Sequence, residues 1–290
     1  MIYLVRKSAL GDVLWIEPVI RQLAERYKKV IVFTKYNTLF ENYPLPGVQF
    51  RNSLNFFEKV WNRMESFFKF SFRFINLDMS YENDTKKHIL HAYQKKAGLP
   101  LTNEYPILHL SAEEQKPFPD LPAKYVVLHL ESFTTQNSRR VYGVQWEKVT
   151  EHLHKLGYEV IQVGKQPDDI AGTRFVKTSI REMIRLIRHC SFFIGIDSGP
   201  SHIAASLQKP SLVFFGAVNP LYRHFPEKFN GFFLQQHPCE FGGCYHEANS
   251  IWGRSCRLVG DDGIPKCSLY SAAYVTSNIN LLMNRYIDHA

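Results

Sequence analysis

No apolar run in the 290-residue chain approaches 18 residues, so nothing in it reads as a membrane-spanning helix. No block of five like charges occurs either, which argues against a polyelectrolyte tail. The dinucleotide fingerprint Gly-x-Gly-x-x-Gly and the Walker loop are both missing. Ordinary dehydrogenases, nucleotide-sugar epimerases and P-loop enzymes are disfavoured with them. Zinc-finger spacing, an RNA-recognition signature and a heptad-linked basic region are absent as well, so nucleic acid is not an expected partner. There is no Asp-x-Asp pair to hold Mg²⁺ or Mn²⁺ against a diphosphate. The opening Met1-Ile2-Tyr3-Leu4-Val5-Arg6-Lys7 meets charge after a few apolar residues and lacks a small-residue cleavage site. It reads as a strand rather than a signal peptide, and the expectation is a soluble, cytoplasmic protein.

What is present is an ordinary globular composition, with 45% apolar and 21% charged residues. A chain of this length buries roughly three quarters of its unfolded surface and divides more often than not into two domains. Thirty-five Lys+Arg against 27 Asp+Glu leave +8. These charges are scattered, which favours phosphate-bearing ligands and leaves open peripheral contact with an anionic membrane surface.

The pattern is that of alternating strands and helices. Met1 to Val5 reads as a buried strand, Val13 to Tyr27 as a helix and Lys29 to Thr34 as a second strand. Strand, short loop, helix, strand is the parallel crossover unit of a doubly wound sheet. Phe50 to Phe74 carries Phe56, Phe57, Trp61, Phe67 and Phe68 at helical spacing with Lys and Arg between them. It reads as an amphipathic helical pair, with an acceptor- or membrane-facing surface as the alternative. Pro117, Pro119 and Pro122 then forbid regular structure, which makes 116–123 the expected linker between an N-terminal domain, 1–115, and a C-terminal domain, 124–290.

A second alternating series follows. Strands are expected over Tyr125 to Leu130, Tyr158 to Val163, Phe192 to Ile196 and Ser211 to Phe215, and helices over Gln145 to Leu156, Ser179 to Arg188 and Ser201 to Leu207. Ser179-Ile180-Arg181-Glu182 has capping-box spacing. The fold class is α/β with two Rossmann-like parallel-sheet domains. Ligands in such folds sit at the carboxyl ends of the strands, here facing a cleft between domains.

Two strand-end loops carry the candidate chemistry. In Ser8-Ala9-Leu10-Gly11-Asp12-Val13, Asp12 stands at a helix N-terminus, as a general base or simply as a helix-terminal residue. In Gly195-Ile196-Asp197-Ser198-Gly199-Pro200-Ser201-His202, a buried strand runs into a helix whose first turn offers N–H groups to an anion. His202 there is a phosphate donor or a structural imidazole. Gly216-Ala217-Val218-Asn219-Pro220 closes the next strand beside it.

Together these segments, with Pro18, the run Ile203-Ala204-Ala205 and Phe214-Phe215-Gly216, resemble glycosyltransferase family 9, the ADP-heptose:lipopolysaccharide heptosyltransferases. The resemblance implies the two-domain GT-B fold and an inverting, metal-independent transfer. The implied donor is a nucleotide-diphosphate sugar, with ADP-heptose the leading case, and the implied acceptor a glycan, glycolipid or lipopolysaccharide. No cofactor is implied. By position, Asp12 resembles the base that deprotonates the acceptor hydroxyl, with Ser8 and Gly11 in the acceptor-side loop. Asp197, Ser198, Gly199 and His202 resemble the donor phosphate site. Asp168, after Gly164, falls near the place of an acidic residue by the nucleoside ribose. Val144 stands where the family often has a Lys and Glu147 where it has a Pro, which leaves Arg139 or Arg140 as the phosphate-binding cation.

Cys239, Cys244, Cys256 and Cys267 fall within 29 residues at spacings looser than paired Cys-x-x-Cys. They leave open a structural zinc, free thiols or a disulfide. A catalytically inactive nucleotide- or glycan-binding protein of the same fold is the alternative function.

Overall fold

The computed structural model of the chain describes residues 1–67, 73–83, 86–131, 139–235, 244 and 264–288. They fall into two compact units, Met1–Ser111 and Ala112–Ala290.

The first unit is built on four parallel strands: β1 (Ile2–Val5), β2 (Val30–Phe33), β3 (Val48–Arg51) and β4 (Phe74–Asn76), in the order β3-β2-β1-β4. Ile2 pairs with Val30, and Tyr3 with Phe74. The buried apolar faces of β1 and β2 make near-continuous hydrophobic runs, as parallel strands covered on both sides require.

The single helix expected over 13–27 is two helices, α1 (Leu10–Leu14) and α2 (Glu17–Arg26). Pro18 has no N–H to return to Leu14, so the ladder stops. Ile16 N–H bonds instead to Val13 O at 3.2 Å, and α2 restarts with Pro18 in its first turn. The helical pair expected over 50–74 is corrected to one helix, α3 (Phe56–Phe67), between the strands β3 and β4. Asn55 starts it: its side chain accepts from Glu58 N–H at 2.8 Å, while Glu58 accepts from Asn55 N–H at 2.8 Å. Helix α4 (Ile89–Lys96), capped by the His88 side chain, follows β4.

The second unit holds six parallel strands: β5 (Tyr125–His129), β6 (Glu159–Gln162), β7 (Arg174–Phe175), β8 (Phe192–Ile196), β9 (Ser211–Phe214) and β10 (Gly231–Leu234). Their order is β10-β9-β8-β5-β6-β7, with helices α5 (Trp146–Lys155), α6 (Ile180–His189), α7 (Gly199–Ser206) and α8 (Ala272–Tyr286). The order reverses between β8 and β5, and the parallel sense brings the ends of β5, β6, β8 and β9 to one edge. The capping box at Ser179 and Glu182 is present. Helix α8 closes the core with Val275, Ile279 and Leu282.

The stretch 112–122 lies within this second unit. Its prolines keep it out of helix and strand, but α6 holds it. Arg181 Nε donates to Glu114 at 2.6 Å, Arg185 donates to Lys116 O and Pro117 O at 2.8 and 2.9 Å, and Arg185 covers the Phe118 ring at 4.2 Å. No helix among the described residues is long and apolar enough to cross a membrane.

Candidate functional site

Several buried charged and titratable groups of the second unit, Asp197, His202 and Arg223 among them, meet where β8 ends. Gly195 permits the close approach of β8 to β5, since a Cβ there would meet His129 O at 2.8 Å. The next residues turn out of the sheet, and α7 begins at Gly199. Ser198 N–H donates to Ser201 Oγ at 3.1 Å, and Ser201 Oγ donates to Ser198 O at 2.7 Å. Pro200 has no N–H and Ser201 N–H closes the capping box on Ser198, which leaves Gly199 as a backbone donor of the first turn. The Ser198 hydroxyl faces inward, 3.2 Å from His129 Nδ1 and 3.1 Å from Ile196 O.

Asp197 is the hub. Its carboxylate is 5% exposed and meets Arg139 Nη2 at 2.5 Å, Arg223 Nε at 3.8 Å and His202 Nε2 at 3.5 Å. Arg139 Nη2 also donates to Asp197 O at 3.2 Å. Burial alone would raise the Asp197 carboxyl. Arg139, Arg223 and His202 reverse that and hold it well below the usual carboxylate range. His202 moves the other way. Burial, with the two guanidiniums against the pull of Asp197, pushes its imidazole down to about 4. Burial likewise pushes His129 down to about 4. Near neutral pH the cluster therefore holds two guanidiniums, one carboxylate and uncharged imidazoles, a net charge of +1.

Arg223 and His224 were not among the expected site residues. They follow the one-turn 3₁₀ helix Pro220–Tyr222, started by the Asn219 side chain accepting from Leu221 N–H at 3.0 Å. His224 is fully buried, stacked on His202 at 4.8 Å and enclosed by Phe215, Phe229 and Phe233. The signal for them was a basic pair just after the strand-end loop 216–220.

Of the two expected cations, Arg139 joins the cluster. Arg140 is exposed and takes no part in these contacts. Val144, at the place of the family Lys, packs with Trp146 against the core, so Arg139 brings the charge from another position. Asp168 lies beyond β6, on the far side of β5 from β8. Its backbone is clasped by Gln162, which accepts from Asp168 N–H at 2.9 Å and donates to Asp168 O at 3.0 Å. Partial burial and neighbouring Glu131 raise its carboxyl.

In the first unit, Asp12 falls within α1 rather than before it, and Gly11 is buried in the same short helix while Ser8 is exposed. Ala9 turns the chain into α1 at φ 67°, ψ 107°, a conformation that costs a non-glycine residue about 1–3 kcal/mol. The Asp12 carboxylate is paired with Arg6, whose guanidinium also meets Glu82 at 2.7 Å and Leu77 O at 3.3 Å. Burial works against the Arg6 charge, but Tyr93, Asp12 and Glu82 together raise its pKa above the ordinary value.

Asp197, His202 and His224 bring one carboxylate oxygen and two ring nitrogens within 4.8 Å of one another, a donor set of metal-binding type. Arg139 and Arg223 already neutralise that carboxylate, which favours an anion over a cation here. Of the tail cysteines, Cys239 and Cys256 lie outside the described residues, Cys244 is half-buried and Cys267 buried, so a zinc site gains no support. Cys190 is sealed in the core, its thiol pushed up to about 12 by burial.

The family model described as glycosyltransferase family 9 (heptosyltransferase) matches residues 79–227, just over half of the chain. Lipopolysaccharide heptosyltransferase 3 of Escherichia coli is 32% identical over 95 residues, which are 28% of this chain and 28% of that protein. The match thus spans well under half of that curated relative. Among solved structures, the iron-containing dodecameric glycosyltransferase TibC from enterotoxigenic E. coli superposes with a TM-score of 0.74 at 20% identity, covering 98% of this chain and 76% of that one. E. coli ADP-heptose lipopolysaccharide heptosyltransferase II gives 0.65 at 15% identity, covering 98% and 99%. At these identities the likeness shows the fold, the expected α/β class with parallel-sheet domains.

Proposed function

Since the chain belongs to glycosyltransferase family 9, we propose that it transfers heptose from ADP-heptose to a glycan or lipopolysaccharide-type acceptor, inverting the anomeric centre without a catalytic metal. The observation that carries this reading is the buried Arg139–Asp197–Arg223 cluster beside His202, at the first turn of α7. Helix start, guanidinium and imidazole N–H together suit a diphosphate. The donor and acceptor classes are those in the name of the solved heptosyltransferase II.

The family resemblance assigns the base to Asp12 and the donor to the cluster at the end of β8. The acceptor hydroxyl attacks the anomeric carbon as Asp12 takes its proton, and the bond to the diphosphate oxygen breaks. The leaving group gains negative charge, which donors fixed in advance stabilise without reorganising. Arg139 supplies charge, Gly199 supplies a backbone N–H, and neutral His202 supplies one N–H. Asp197 remains ionised throughout, so it holds Arg139 in place and donates no proton. The test is acceptor-dependent release of ADP from ADP-heptose, followed by chromatography. It should be present in the wild type and reduced about 10²–10⁴-fold in Asp12→Asn.

A further inference from the structure

Helix α3 turns its apolar side outward. Phe56, Phe57, Val60, Trp61, Met64 and Phe67 are all exposed, Phe57 by 81% and Phe67 by 79%. Their spacing puts them on one continuous arc of the helix. The stripe facing the unit's own sheet carries Asn62 and Glu65, both buried.

The charges of α3 are sorted as sharply as its apolar groups. Glu65 is turned inward, accepting from the Trp61 indole and from the N–H groups of Arg73 at 2.9 Å and Phe74 at 2.8 Å. Glu58 is occupied by Asn55 N–H and by Arg51 at 3.1 Å. Both carboxylates are thus satisfied within the unit. Lys59 and Arg63 flank the exposed apolar arc, and the Arg73 guanidinium sits 5.6 Å from the Trp61 ring centroid. The outward surface therefore combines large aromatics with charge of one sign.

That combination selects the partner. A second copy meeting this face with its own would bring Lys59, Arg63 and Arg73 against their equivalents. Aromatic bulk flanked by Lys and Arg suits the headgroup layer of an anionic bilayer, where rings enter the acyl boundary and cations meet lipid phosphate. We propose that α3 docks the protein on an anionic phospholipid surface through Phe56, Phe57, Val60, Trp61, Met64 and Phe67, with Lys59, Arg63 and Arg73 against the headgroups. This goes beyond the transfer reaction and does not depend on its donor.

The experiment is co-sedimentation of the full chain with vesicles of phosphatidylcholine alone and of phosphatidylcholine with phosphatidylglycerol at roughly three to one. Binding should be at least about tenfold tighter to the anionic vesicles and should weaken in high salt. Lys59→Gln with Arg63→Gln should lose roughly thirtyfold, and Phe57→Ser with Phe67→Ser should abolish sedimentation. All four positions are exposed, so thermal unfolding should match the wild type and ADP affinity should not move. The two variant pairs are independent, so misfolding of one leaves the other to decide. Equal binding to both vesicle types, or none, overturns the proposal. So does a wild-type oligomer that Phe57→Ser with Phe67→Ser dissociates while vesicles capture nothing.

Discussion

The imidazole rings of His202 and His224 lie face to face, centroids 4.8 Å apart and planes 24° from parallel. His202 reaches Asp197 from one side of this stack, and Phe215, Phe229 and Phe233 enclose His224 on the other. His224 is thus a positioning residue for His202. His224→Ala should cost about 3 kcal/mol of stability, as loss of a large buried ring does, and should weaken ADP binding. His224→Phe should restore most of both, because it keeps the ring. Calorimetric titration with ADP checks this, and a Phe variant as weak as Ala would give the His224 nitrogens a direct role.

Acid should destabilise the second unit before it protonates its carboxylates. His129 and His202 are held near 4 in the folded chain and titrate near 6.5 when unfolded. Between those values the unfolded chain binds protons that the folded chain refuses. Stability is therefore full above about pH 6.5 and is lost as pH falls toward 4, by up to about 3 kcal/mol for each imidazole. Asp197, held low, adds a further loss in the same direction at lower pH. Tm measured from pH 7.5 to 4.5 should fall steeply, and less so in His129→Asn. A flat profile would contradict the buried neutral state.

Arg139 and Arg140 should differ sharply despite adjacency. Arg139→Ala should weaken ADP binding by about 1.5–3 kcal/mol and also lower Tm, because Asp197 loses its nearest cation. Arg140→Ala should leave both within experimental scatter. Equal effects at the two positions would remove Arg139 from the donor site.

How much of this was legible before the structure depends on the kind of signal. Strand-end loops announce themselves locally, through Gly195, Ser198 and Pro200 after an apolar run, so Asp197 and His202 could be placed. The break between α1 and α2 was also written locally, in Pro18, but the apolar period runs across it and hides it. Asn55 and Glu58 mark the start of α3 in the same local way, and aromatics on both sides masked the strands β3 and β4. Arg223 and His224 are different. The pairing of Arg223 with Asp197 spans 26 residues of chain and a strand crossover, and the basic pair after the loop 216–220 marks the place without recording the partner. The choice of Arg139 over Arg140 likewise depends on which side chain reaches the end of β8, a tertiary fact.

Chelation tests the nature of the cluster. Two guanidiniums at Asp197 would compete with any cation seated among Asp197, His202 and His224. Transfer should therefore persist in EDTA over short incubations. An immediate loss, restored by Mg²⁺ or Mn²⁺, would place a metal in the chemical step.

The most direct measurement of the central claim is ADP release from ADP-heptose by purified protein, with and without a truncated lipopolysaccharide acceptor, in wild type and Asp12→Asn. The account predicts release that requires acceptor, falls about 10²–10⁴-fold in Asp12→Asn, and is accompanied by unchanged ADP affinity in that variant. Near-normal turnover by Asp12→Asn, or wild-type protein that binds ADP-heptose yet transfers nothing to the acceptor, would contradict it.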